Sequence, residues 1–273
     1  MNKNERALGG FLGLAIGDTI GGQVEFKARG SFPLVTDMIG GGVFNLRPGQ
    51  ITDDTEMALA IARSLTVNGK FVPTDIMDRF LAWSKTTFDI GNTIKSSLQA
   101  YEINKNPFQG RNNVALSGNG SIMRLYPTVL WTLNQNDKEA FELVWDVSRL
   151  THASVIVRES TDTMLSLIRK IFAGQSKDEI LKNISFSDEP ESSGFVRHTL
   201  QAALWGFATT NSFEEGLLKV VNLGDDADTV GAVYGQIAGS YYGRSGLPDK
   251  WVEKIECREE IEDLVSKLSK GPS

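Results

Sequence analysis

Apolar residues recur along this chain at helical intervals. Met57, Ile61 and Leu65 fall four apart, as do Trp251 and Ile255 further on, which puts each set on one face of a helix with 3.6 residues per turn. The same period runs through 75–83, 138–149, 155–172 and 195–209. Strand-like alternation is scarce and no βαβ rhythm appears, so the pattern predicts an all-α protein. The polar stretch 185–194, SFSDEPESSG, reads as an exposed loop. No internal repeat or low-complexity linker divides the chain. Its 273 residues allow one or two domains, and a single domain over 1–269 with a frayed tail at 270–273 is the expectation.

The first apolar stretch follows Lys3 and Arg6, is broken by glycines and runs into Asp18. It predicts a buried helix rather than a signal peptide, and no apolar run approaches the ~18 residues of a membrane span. The single cysteine, Cys257, excludes an internal disulfide or a thiolate metal cluster. A net charge of −6 gives no basic footprint for nucleic acid or an anionic membrane. A cytoplasmic protein is the simple expectation, with a monomer as the default.

Glycine changes the picture. Gly9, Gly13 and Gly17 lie four apart, as do Gly231, Gly235 and Gly239. Each costs a helix interior roughly 1 kcal/mol relative to alanine, so the stripes need compensation from close packing. Ala58 and Ala62 give a third helix a similar small face. The expectation is that these three helices pack tightly at the centre and gather the polar residues at their ends into one place.

Those polar residues are the strongest chemical signal. Thr52-Asp53-Asp54-Thr55-Glu56 and Asp225-Asp226-Ala227-Asp228-Thr229 each stand immediately before an apolar or glycine-striped helix. Helix capping is one reading. Against it, a cap needs one or two such residues, and these two helix starts carry five aspartates. Two like charges ~4 Å apart at an effective dielectric near 20 repel by on the order of 4 kcal/mol, so a shared centre requires cations. Oxygen ligands in a chain with two histidines suit Mg²⁺ or Mn²⁺ rather than zinc.

The residues then match a known family. GFLGLAIGDTIGGQVEF, ending at Phe26, ITDDTEMALA (51–60), DIGNT (89–93), GNGSIMRLYP (118–127) and NLGDDADTVGAVYGQIAG (222–239) follow one another in the order of the ADP-ribosylglycohydrolases, the group that includes dinitrogenase reductase-activating glycohydrolase. The chain resembles that family over nearly its whole length, and the paired TDD and DADT motifs carry the resemblance. It implies an all-α fold, a single compact multi-helix orthogonal bundle with a dinuclear Mg²⁺ or Mn²⁺ centre. By motif, the metal ligands would be Thr52, Asp53, Asp54, Asp226, Asp228 and Thr229. Asp225 stands where many members have glycine and is left as a cap or supporting residue.

The resemblance further implies that Glu25 is the family's mobile active-site glutamate and that Asp89 and Asn92 line the pocket. Gly118, Asn119, Gly120, Ser121 and Met123 would embrace ADP-ribose, with His152 as a pocket histidine. Each has a plainer alternative: Glu25 a surface charge, Asp89 and Asn92 turn and cap residues, the GNGS run a turn, His152 a packing residue. Arg124 could contact phosphate or pair with a carboxylate, and His198 reads as structural. The implied activity is hydrolysis of the bond between ADP-ribose and a modified side chain, arginine first, with Glu25 and then Asp89 handling the proton. The partners would be an ADP-ribosylated protein or a small ADP-ribose derivative. Serine- or nucleotide-linked substrates, another two-metal phosphohydrolase and a non-catalytic ADP-ribose binder are the rivals.

Overall fold

The structure is a computed structural model and describes residues 1–271; the last two positions of the tail expected to fray lie outside the described residues. Thirteen α-helices follow one another among those residues: α1 Lys3–Gly21, α2 Asp53–Asn68, α3 Pro73–Trp83, α4 Asn92–Asn104, α5 Tyr126–Thr132, α6 Asp137–Ser148, α7 Val155–Phe172, α8 Lys177–Leu181, α9 Val196–Ala208, α10 Phe213–Val221, α11 Ala227–Tyr242, α12 Asp249–Val252 and α13 Arg258–Leu268. Extended backbone pairs only at isolated points, such as Gly41 with Leu46 and Gly118 with Phe195. The all-helical expectation holds.

The helix ends follow local chemistry. Asn2, Asn136, Ser154, Ser176 and Ser212 each accept a bond from the third residue of the helix they precede, which satisfies an amide left free by the first turn. Gly69 ends α2 at φ 63°, returning its N–H to Leu65, and Pro73 opens α3 where its missing N–H costs nothing. In α7 the buried residues Val157, Thr161, Met164, Leu165, Ile168 and Ile171 share one face, as the apolar period required.

Helices α1 and α11 form the centre. They run antiparallel with their glycine stripes face to face: a Cβ on Gly9 would stand 2.2 Å from the carbonyl oxygen of Gly239, on Gly13 2.3 Å from that of Gly235, and on Gly17 2.0 Å from that of Gly231. No side chain fits in that seam. Backbone against backbone brings many atoms into van der Waals contact and lets Cα–H groups meet carbonyls, which offsets the low helix propensity of glycine. Fourteen residues of α1 and fourteen of α11 are buried, so other helices surround the pair on all sides.

The third small-faced helix behaves differently from expectation. The backbone approach is between the two glycine stripes alone, and α2 reaches the pair through its N-terminal turn, where Thr52 bonds to Asp18 of α1 and Thr229 of α11 bonds to Asp54. Alanine carries a Cβ, which holds a neighbouring backbone further off than glycine does. At the opposite end of the pair, Arg6 donates to the carbonyls of Ser240 and Tyr241, placing a cation at the negative end of α11.

Gly235→Ala places its Cβ 1.9 Å from the Gly13 carbonyl oxygen, where only a shift of α1 relieves it. Overpacking of this kind typically costs 1–3 kcal/mol and rises when backbone must move, so urea unfolding of the variant is expected to show a loss of at least about 3 kcal/mol.

Candidate active site

The register of the α1–α11 seam sets the site. It lays the last turns of α1 beside the first turn of α11, and Gly21 meets the backbone of Ala227 and Asp228. Asp18, in those last turns, is fully buried. Its two oxygens accept from the Thr52 amide, each at 3.1 Å, from the Thr52 hydroxyl at 2.7 Å, and from the amide and hydroxyl of Thr55. A carboxylate of one helix thus caps the next. Thr52 and Asp226, the N-cap residues of α2 and α11, make no side-chain capping bond to their own helices. Neither N-cap side chain is used as a cap, and the acids of both first turns, Asp53, Asp54 and Asp228, face one another.

They converge. Carboxylate oxygens of Asp53, Asp54 and Asp228 all lie within 4.8 Å of one another, as do those of Glu25, Asp89 and Asp228. Glu25 Oε2, Asp54 Oδ1 and Asp228 Oδ1 are buried and accept no hydrogen bond. A buried anionic oxygen without a donor is costly, and several together fit a hard divalent cation held by oxygen ligands. Hydroxyls of Thr52 and Thr229 stand among them, the first donating to Asp18 and the second to Asp54, so their lone pairs remain available as ligands.

The electrostatics follow from burial. Loss of water, and then the charges of Asp89, Asp226 and Asp18, push Glu25 up to about 9. Burial raises Asp89 and Asp18 to about 6. It holds Asp53, Asp54 and Asp228 well above the carboxylate range, with neighbouring aspartates adding to the effect.

A cavity of about 380 Å³ opens over this centre, within the range of small-molecule sites. Glu25, Asp53, Asp89, Asn92, Gly118, Asn119, Gly120, Met123, His152, Asp226, Asp228 and Thr229 line it. Thr52, Asp54 and Ser121 are buried next to it without lining it. Glu25 is 3% exposed, so it is not a surface charge. Asn92 is the first residue of α4, whose N-cap is Gly91. Asp225 lies on the cavity wall at φ 58°, and its backbone bonds both to Phe26 and to Lys27.

The 118–123 turn is built rather than loose. Asn119 donates from Nδ2 to Asp226 Oδ2 at 2.7 Å and to Thr199 at 2.9 Å, and its amide donates to the Gly194 carbonyl. Buried Gln236 of α11 donates to the carbonyls of Ile122 and Met123. The stretch expected to be an exposed loop is largely one: Ser185, Ser187, Asp188, Glu189, Glu191 and Gly194 are exposed, whereas Pro190 and Ser192 are buried. The Ser192 carbonyl accepts from Asp226, and a Cβ on Gly194 would stand 3.0 Å from Asp226 Oδ2.

Among the described residues Arg124 makes no ion pair with a carboxylate, and it does not line the cavity. It is 1% exposed, lies 4.8 Å over the Phe80 ring and donates at 2.6 Å to Thr151 Oγ1. That hydroxyl is 2.7 Å from His152 Nδ1. Since a guanidinium only donates, the threonine hydrogen is left for Nδ1, and the histidine carries its own proton on Nε2. Burial first, then the Arg124 charge, pushes His152 down to about 3, so a neutral imidazole faces the backbone of Gly118 and Gly120. His198 stands apart, bonded to Ser193 and beside Glu191.

Asp18 and Thr151 are the working residues that sequence reasoning passed over. Asp18 had a signal, as the lone ionisable residue in the otherwise apolar run from Phe11 to Val24. The relay through Thr151 had none.

A buried acidic centre at paired helix N-termini, beside a polar cavity, is the architecture of a metal-compatible hydrolase. A family model described as ADP-ribosylglycohydrolase matches residues 1–272, and the chain belongs to that family of enzymes. The ADP-ribosylarginine hydrolase Tri1 of Pseudomonas putida (strain GB-1) is 34% identical over 97% of this chain and 78% of its own length. The ADP-ribosyl-[dinitrogen reductase] glycohydrolase of Rhodospirillum rubrum is 34% identical over 95% and 93%. A solved structure titled ADP-ribosylglycohydrolase-related protein complex superposes with a TM-score of 0.90 at 39% identity, covering 100% of this chain and 99% of its own. No helix among the described residues is long and apolar enough to cross a membrane.

Two expectations follow. Asp18→Ala leaves two amides and two hydroxyls of α2 without their acceptor; at about 1–3 kcal/mol for a buried unsatisfied group, its urea midpoint is expected to fall by the equivalent of about 3 kcal/mol or more. With Asp18 and Asp89 raised to about 6 and Glu25 to about 9, the folded protein in EDTA keeps protons that the unfolded chain has released. Its stability therefore falls as pH rises from about 4.5 through 9. Melting temperatures across that range are expected to decline in EDTA and to flatten with added Mg²⁺ or Mn²⁺; parallel curves would refute a cation role.

Proposed function

We propose that this protein hydrolyses the N-glycosidic bond between ADP-ribose and the guanidinium of a modified arginine in a target protein, using two Mg²⁺ or Mn²⁺ ions. The observation that carries the reading is the set of unpartnered buried carboxylate oxygens where the two acidic helix starts meet, opening into a ligand-sized cavity. The linkage is supported by the named activities of the relatives, arginine in one and dinitrogen reductase in the other. Thr52, Asp53, Asp54, Asp226, Asp228 and Thr229 would hold the cations. Oxygen donors alone make up this set, which favours Mg²⁺ or Mn²⁺ over softer metals. When bound, the ions supply charge neutralisation, ribose orientation and water activation.

The chain's own residues do the rest. Asn119 and the Gly118–Gly120 backbone border the ribose and phosphates, and the fixed Nε2–H of His152 offers a donor on the same wall. Glu25 and Asp89 sit within one carboxylate cluster, but burial separates them, at about 9 and about 6. Two carboxyls held apart in this way can divide a proton transfer between them. In the proposed step one of these two carboxyls takes the proton from the attacking water and the other gives a proton to the departing nitrogen. The water oxygen bonds to the anomeric carbon as the carbon–nitrogen bond breaks, yielding free ADP-ribose and an intact arginine.

The test is release of ADP-ribose from an arginine-ADP-ribosylated protein with Mg²⁺ or Mn²⁺ present. Wild type is expected to turn over, EDTA to abolish release reversibly, and Asp226→Ala to lower kcat/KM by about 100-fold or more, the scale for losing electrostatic stabilisation in a reaction centre. Binding of ADP-ribose without any release would overturn the assignment.

A further inference from the structure

We propose that Phe26, Phe44 and Phe88 form an aromatic row on the leaving-group side of the cavity that stacks against the guanidinium of the ADP-ribosylated arginine, an inference that rests on the arginine reading above. The three rings come from separate parts of the chain yet contact in succession, with Phe44 between Phe26 and Phe88. The Phe26 and Phe44 centroids are 6.3 Å apart at 74°, and those of Phe44 and Phe88 are 5.1 Å apart at 51°. Single exposed apolar side chains are ordinary, but contiguous ones mark binding surfaces, and in this row Phe26 is 63% and Phe88 46% exposed.

The row is tied to the chemistry by sequence adjacency and by space. Phe26 follows Glu25, and Phe88 precedes Asp89. Those two carboxylates share one cluster with Asp228, and Phe26 itself lines the cavity. Phe26 thus stands at the cavity beside the carboxylates assigned to the proton, and Phe44 and Phe88 continue the row from it. A carboxylate pair beside aromatic faces complements a planar cation: guanidinium is weakly hydrated, stacks on rings and is drawn to negative charge.

Each ring is held in place. Phe26 has φ 61°, a left-handed conformation rare for an aromatic residue, and is pinned by its amide bond to the Asp225 carbonyl at 2.7 Å and by the reciprocal bond from Asp225 to Lys27 at 2.8 Å. Phe44 rides a tight turn closed by Gly41 and Leu46, which exchange bonds of 2.7 and 2.8 Å. Gly42 lets that turn sit on the end of α1, since a Cβ there would stand 2.2 Å from the Gly22 carbonyl oxygen. Phe88 is bracketed by the Thr87 hydroxyl, which bonds to both the amide and the carbonyl of Asp89. Strain and close packing spent on presenting solvent-facing rings point to a ligand for them.

The experiment compares hydrolysis of ADP-ribosylarginine with binding of free ADP-ribose, which has no guanidinium. Phe44→Leu and Phe88→Leu keep apolar bulk but lose the ring face, whereas Phe44→Trp keeps it. The leucine variants are expected to raise KM for ADP-ribosylarginine about 3- to 10-fold, the scale of an exposed to partly buried cation–π contact. The tryptophan variant stays near wild type, and the Kd for free ADP-ribose is unchanged in all three. A matching loss of ADP-ribose affinity would assign the row to the nucleotide and overturn the proposal, as would an unchanged KM in the leucine variants. A wild type that binds ADP-ribose but does not cleave the arginine linkage would instead refute the reading on which the proposal stands.

Discussion

Two helices reach backbone contact only if neither carries a side chain along the line where they touch. Helices α1 and α11 meet that condition for most of their length, and much else in the molecule follows from it. Glycine carbonyls of one stripe fill the space a Cβ of the other would need, so the pair has a single register and no freedom to slide. That register brings Asp18 to the start of α2 and the DADT turn of α11 beside it. A rigid central pair with small tolerances is a suitable frame for metal-compatible ligands, whose positions matter at the scale of tenths of an ångström.

Around that frame the polar contacts divide the labour. Neutral donors orient the acids from outside: Asn119 holds Asp226, and Gln236 fixes the turn that carries Asn119. Asp18 takes over the capping of α2, which spares Asp53 and Asp54 from that duty. What is left at the middle is a crowd of buried carboxyls with too few donors, a destabilising arrangement in a bare protein. Local frustration of this kind is typical of sites shaped for binding rather than for stability.

Much of this was legible in advance, because helical period, glycine spacing and acidic runs before helices are local signals. Helix α7 was delimited at 155–172 by period alone, and its ends agree with the structure. The family motifs carried the site residues, most of which gather around one cavity. What escaped was long-range. Asp18 reads as the point where an apolar run stops, and only its distant partners Thr52 and Thr55 reveal a cap. Arg124 offers a cation that chemistry would pair with an anion, yet tertiary packing stacks it on Phe80 and bonds it to Thr151. The 185–194 segment looked soluble throughout, and its last residues are drawn against Asp226 by backbone bonds that no composition encodes. Ala58 and Ala62 suggested a third helix in the central seam, but one methyl group per turn is enough to keep it at ordinary distance.

The pairing of α1 with α11 also bears on how the protein is made. A chain emerges from the ribosome N-terminus first, at a few to some tens of residues each second. The glycine stripe of α1 is therefore among the first segments exposed, and its counterpart among the last. Asp54 and Thr229, which meet at the centre, are 175 positions apart. No acidic centre can exist until nearly the whole chain is available, and until then an apolar, glycine-rich helix waits without its mate. Late closure of contacts so distant in sequence makes for slow folding and a vulnerable nascent state. Chaperone capacity in the cell thus bears on how much of this enzyme matures.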